Sequence, residues 1–236
     1  MIGEVTSKQQ YFKLFEGCSA ITDASQLQLT GTVMKESCYS NMFIDCVNLK
    51  TPPSTLPATT LDLWCYSGMF AGCKALSSAP TLPATTLAPY CYYAMFYGCS
   101  NLSSSPYLPA ETLVDWCYNS MFYNCTSLNK IFCNFSAWNG NATSSWVTNV
   151  ARGGIFNNDN VEEIYSNSNI PIYWDNQETI PLTFIALEPT NTIEIRHYGE
   201  NFLQNVKYKK NDEDWKDFNV HYEQPFSGTV IELNAN

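Results

Sequence analysis

Ten cysteines are the side chains in this 236-residue chain with the most chemistry to offer. A thiolate can attack an electrophile or bind a soft metal, and two thiols can close a disulfide. Eight of the ten fall in pairs eight residues apart: Cys38 with Cys46, Cys65 with Cys73, Cys91 with Cys99, and Cys117 with Cys125. On a helix that spacing is about 12 Å, whereas a disulfide needs Cα atoms within about 7 Å. Pairing within one unit is then excluded. A nucleophilic thiol needs a base, yet the two histidines, His197 and His221, lie far down the chain in no recognisable motif. No Cys-x2–4-Cys or neighbouring histidine suits zinc. The acidic cluster Asp212, Glu213, Asp214 and Asp217 lacks the spacing of a calcium loop and reads as a solvated turn. Motifs for hydrolysis, phosphoryl transfer and dinucleotide binding are missing. The expectation is a non-enzymatic protein with no cofactor and no metal, its cysteines serving as small apolar side chains in a buried ladder.

The elements that hold them follow a lattice. Cys-Tyr-x-x-Met-Phe-x-x-Cys-x-x-Leu occurs four times, from Cys38, Cys65, Cys91 and Cys117, at steps of 27, 26 and 26 residues. A degenerate copy lies upstream, with Leu14, Phe15, Cys18 and Ile21 in the Met, Phe, Cys and Leu places. Leu-Pro-Ala-Thr/Glu-Thr-Leu recurs between copies at Leu56–Leu61, Leu82–Leu87 and Leu108–Leu113. Repeats of this period mean a solenoid whose units bury their apolar faces against their neighbours. Cys65, Met69, Cys73 and Leu76 share one face at helical spacing, so each coil is expected to carry a short helix. A short strand such as Leu76 to Ala79, stopped by Pro80, completes the coil.

The two blocks in register, for example Leu82 to Leu87 followed by Cys91-Tyr92-Tyr93-Ala94-Met95-Phe96-Tyr97-Gly98-Cys99, resemble the leucine-rich repeats of BspA-like bacterial surface proteins. The resemblance covers roughly residues 11–130. It implies an α/β leucine-rich-repeat solenoid of about five coils and a role in extracellular or cell-surface adhesion, with no catalytic residues to carry over. Asp45 and Asn124 depart from the family's Gly before the second Cys.

The expected domains are the solenoid over 1–130, a C-terminal cap and linker over 131–179, and a small antiparallel, sandwich-like β domain over 180–236. Val147, Val150 and Ala151 suggest a short capping helix ending at Gly153-Gly154. Period-two alternation at Ile193 to Arg196, Val206 to Tyr208 and Val220 to Tyr222 marks the β domain. A further strand beyond Asn236 is expected, as in a piece of a longer modular protein or a naturally shortened relative. The net charge of −10 divides into −2 over residues 1–130 (six Lys, eight Asp and Glu) and −8 over the rest, which argues against nucleic acid. No apolar run is long enough to span a membrane, and Met1 to Gln10 do not read as a signal peptide.

Function is expected at positions that the repeat leaves free to vary. On the strand side these are Lys50, Thr51, Ser77, Ser78, Ser103, Ser104, Asn129 and Lys130, which stacking would align into one polar surface. On the helix side they are Tyr93, Tyr97 and Tyr123. The column Trp64, Tyr90, Trp116 reads first as packing between coils. The expected partner is a host or bacterial surface protein or a glycan; a phage or prophage virion component is the alternative.

Overall fold

A computed structural model describes residues 2–135, 138–158, 170–171, 174–176, 193–197, 206–210 and 216–217. The chain divides into two compact units, Met1–Gln177 and Glu178–Asn236. The first is a solenoid whose coils stack at the repeat period.

No helix occurs among the described residues, so the helix expected in each coil is corrected. A helix needs every N–H bonded four residues back. Here the N–H groups alternate between two destinations. In the coil around Met69, Cys65, Ser67, Met69, Ala71 and Cys73 donate three residues back, closing consecutive β-turns. Between them Trp64, Tyr66, Gly68, Phe70 and Gly72 donate to Pro89, Cys91, Tyr93, Met95 and Tyr97 of the next coil. Every second turn carries its third residue at positive φ, the type II form: Trp64 at 58°, Gly68 at 59° and Gly72 at 75°.

The residue types explain why turns win. Glycine at 68 and 72 costs about 1 kcal/mol each in a helix but nothing at positive φ. Equivalent positions in other coils hold Asn41, Asp45 and Asn124, which tolerate that region better than most side chains. A four-residue turn period also places i, i+4 and i+8 on one face, which is how it passes for a helix. The difference lies at i+1: Cys65 and Tyr66, and Met69 and Phe70, are all fully buried.

Burial proceeds column by column. Tyr39, Tyr66, Tyr92 and Tyr118 stack at 5.6 to 5.9 Å, and Phe43, Phe70, Phe96 and Phe122 at 5.5 to 5.7 Å. Each such ring pair adds about 0.5–1.5 kcal/mol beyond its buried area. The capping helix is likewise corrected. Residues 139–150 form a sixth row of turns, and Tyr118, Ser120, Phe122 and Asn124 donate onto Ala142, Ser144, Trp146 and Thr148. Trp146 takes the methionine place and, with Phe135, covers the last aromatic rings, Phe122 and Tyr118.

The strand side is regular only towards this end. β1 (Ser104–Leu108), β2 (Lys130–Cys133), β3 (Gly154–Asn158) and β4 (Trp174–Asn176) form a parallel sheet in that order. Earlier coils make single bridges, Asp23 with Thr51 and Thr55 with Thr81, so the strand expected over Leu76 to Ala79 does not form. Pro52, Pro53 and Pro80 supply no N–H to a ladder there. β1 accommodates Pro106 through a register shift, and the Ser105 hydroxyl accepts the Phe132 N–H at 3.0 Å.

In the second unit, β5 (Ile193–His197), β6 (Val206–Lys210) and β7 (Lys216–Asp217) pair antiparallel. The expected alternation at Val220 to Tyr222 and the acidic turn at Asp212 to Asp214 lie outside the described residues, as does His221.

Candidate binding surface

Nine of the ten thiols are inside, and Cys18 is half-buried. All eight lattice cysteines are fully buried and hold free thiols. The second cysteine of each pair has a specific bond: Cys46, Cys73, Cys99 and Cys125 donate S–H to the carbonyls of Phe15, Phe43, Phe70 and Phe96 in the preceding coil, at 3.0 to 3.1 Å. Each of those carbonyls also accepts an amide from its own coil, such as Cys73 N–H onto Phe70. A small apolar side chain with one weak donor suits the position better than alanine or serine. Burial pushes the Cys117 thiol up to about 11 and Cys125 to about 12, and carries Cys91 and Cys99 well above the ordinary thiol range. Thiols held neutral in this way are poor nucleophiles. Burial likewise raises Tyr66, Tyr92 and Tyr118, and the hydroxyls of Tyr39 and Tyr118 find no hydrogen-bond partner among the described residues.

Aromatic rings outside the core mostly occupy one another. Trp64, Tyr90 and Trp116 stack at 3.9 and 5.9 Å, half-buried, with Tyr93 set edge-on against Trp64. All three hold positive φ, a strained setting for large side chains that the repeated turn imposes. Tyr90 is stacked on both faces, Trp64 and Trp116 each on one, and Tyr93 is half-buried beside them.

The strand-side residues are open. Lys50, Thr51, Ser77, Ser78, Ser103, Asn129 and Lys130 are exposed, and Ser104 is half-buried at the start of β1. Backbone bonds run from Ser77 N–H to the Lys50 carbonyl and from Asn129 N–H to that of Ser103, so these residues lie side by side on successive coils. Next to them a shallow groove of about 310 Å³, walled by Pro80, Pro83, Pro106 and Pro109, displays Tyr107, which is 51% exposed.

Tyr97 and Tyr123 form a separate feature. Their rings are parallel, 2° apart in plane and 5.0 Å apart, with Tyr97 41% exposed. Beside Tyr97 lies a second groove, of about 510 Å³. Its lining includes Ile44, Asp45, Ala71 and Lys74, none of which the repeat pattern marks as functional. The available signal is the lattice place just before the Gly or its substitute, where Ile44, Ala71, Tyr97 and Tyr123 differ in size more than any core position does. Ser77 and Ser103 do not line this groove.

No known protein family, curated protein or solved structure matches the chain.

Proposed function

We propose that the chain is a non-enzymatic recognition protein of the cell exterior, a relative of the BspA-like leucine-rich-repeat proteins, whose repeat array binds a surface protein or glycan. One observation carries the reading. The eight lattice cysteines are shut in the core, where burial holds their thiols protonated, while residues that differ between coils lie exposed and in line on the surface. A surface of many weak polar contacts with a few aromatic anchors suits an extended partner. The turn rows stand where a leucine-rich repeat carries its helix, and the small antiparallel unit serves as an appended module.

The test is a screen of the purified chain against immobilised mucin, matrix proteins and glycans. It is followed by the triple variant Ser77→Arg, Ser78→Arg, Ser103→Arg. These side chains are exposed, so the variant should melt with the wild type and lose at least tenfold in partner affinity. A folded variant with unchanged affinity would remove the strand-side surface from the binding site.

A further inference from the structure

The groove beside Tyr97 is a break in a stack of rings. Ladder bonds from Asp45, Gly72 and Gly98 to the carbonyls of Ala71, Tyr97 and Tyr123 put Ile44, Ala71, Tyr97 and Tyr123 in one column on successive coils. The tyrosine and phenylalanine columns of the core run without interruption. This one stops: Tyr123 covers one face of Tyr97, and on the other side the next position is the methyl group of Ala71. From Tyr97 to Ile44 is two coil steps, about 11 Å, and their van der Waals radii take about 4 Å of it. About 7 Å remains between them, room for one puckered ring with its axial hydrogens.

The bare backbone of Gly72 and Gly98, both at positive φ, leaves the floor without side chains. A Cβ on Gly72 would lie 2.1 Å from Oδ1 of Asp45, so that glycine gives the carboxylate its place against the floor. Lys74, Ser100 and Asn124 stand around the same groove. Neither Asp45 nor Lys74 forms an ion pair among the described residues.

From this the geometry points to a hexopyranose site, with the sugar's C–H face on Tyr97, its ring over Ala71, and its hydroxyls bonded to Asp45 and Lys74. A pyranose has one apolar face and an edge of hydroxyls that both donate and accept. The carboxylate only accepts and the ammonium only donates, so together they match that edge. The aromatic side chain of a protein partner would use the Tyr97 face equally well but would desolvate the two charges without bonding them. The assignment rests on the reading of the array as a recognition surface and supplies a ligand class for it.

The test uses the whole chain and the methyl glycosides of glucose, galactose, mannose and N-acetylglucosamine, read by saturation-transfer NMR, with N-acetyltryptophanamide as the aromatic alternative. Ala71→Tyr fills the gap with the protein's own ring and should melt at or above the wild-type temperature. Tyr97→Ala removes the platform. At least one glycoside should bind the wild type at millimolar concentration, and both variants should weaken it tenfold or more. Failure of all four glycosides to bind, or equal binding to Ala71→Tyr, overturns the site, and so does binding of the tryptophan amide alone. Partner capture by the array that survives in Ala71→Tyr while every glycoside fails removes this site and leaves the recognition reading standing.

Discussion

Raising the pH should dismantle the array through its cysteines. Six thiols, those of Cys65, Cys73, Cys91, Cys99, Cys117 and Cys125, are pushed strongly upward, chiefly by burial. The folded chain therefore keeps protons that the unfolded chain releases. Stability from this source is whole below the unfolded thiol value of about 8.5 and is lost as pH climbs from there towards the folded values. At about pH 9.5, one unit above the unfolded value, each thiol accounts for about 1.4 kcal/mol of lost stability, or about 8 kcal/mol for six. That is comparable to the whole stability of an ordinary domain, about 5–15 kcal/mol. The assay is urea unfolding followed by tryptophan fluorescence, in reductant, at about pH 7.5, 8.5 and 9.5. The midpoint should fall over the first step and about three times as far over the second. Cys99→Ala should lower stability at neutral pH by about 1–2 kcal/mol, from the lost S–H bond and packing, yet make the alkaline drop smaller by about 1.4 kcal/mol. Equal midpoints at the three pH values, or an undiminished drop in the variant, would refute the idea that burial holds these protons.

Two further outcomes follow from the same coils. Under native conditions most thiols should resist a small thiol reagent, and all ten should react after denaturation without reductant; recovery of clearly fewer would mean disulfides and end the free-thiol ladder. Gly98, at φ 71°, should accept Asn at less cost than Ala, since Asn124 holds the equivalent place at φ 61°. Ala should cost about 1–2 kcal/mol, and urea midpoints ranking Ala above Asn would show that the turn does not set that position.

Much of this protein was written along the chain. The 26-residue lattice alone implies a solenoid, and the recurring Cys, Tyr, Met, Phe and Leu are the fully buried columns. Repetition makes that inference safe, because one unit cannot bury its apolar face without the next. The exposure of Ser77, Ser78 and Ser103 follows from the same lattice, since the repeat tolerates Lys50 and Asn129 on the neighbouring coils. The conformation between the columns was decided only in three dimensions. Apolar residues at i, i+4 and i+8 fit a helix of 3.6 residues and a row of turns of four almost equally well over nine residues. What separates the two is where alternate N–H groups go, and half of them go to another coil 26 residues away. The repeated glycines hinted at turns, but the stacking partner that makes turns cheaper than a helix is a tertiary fact. The groove beside Tyr97 belongs to the same class. Ala71 and Tyr97 are unremarkable letters in separate repeats until stacking sets the small side chain next to the ring and opens a groove there.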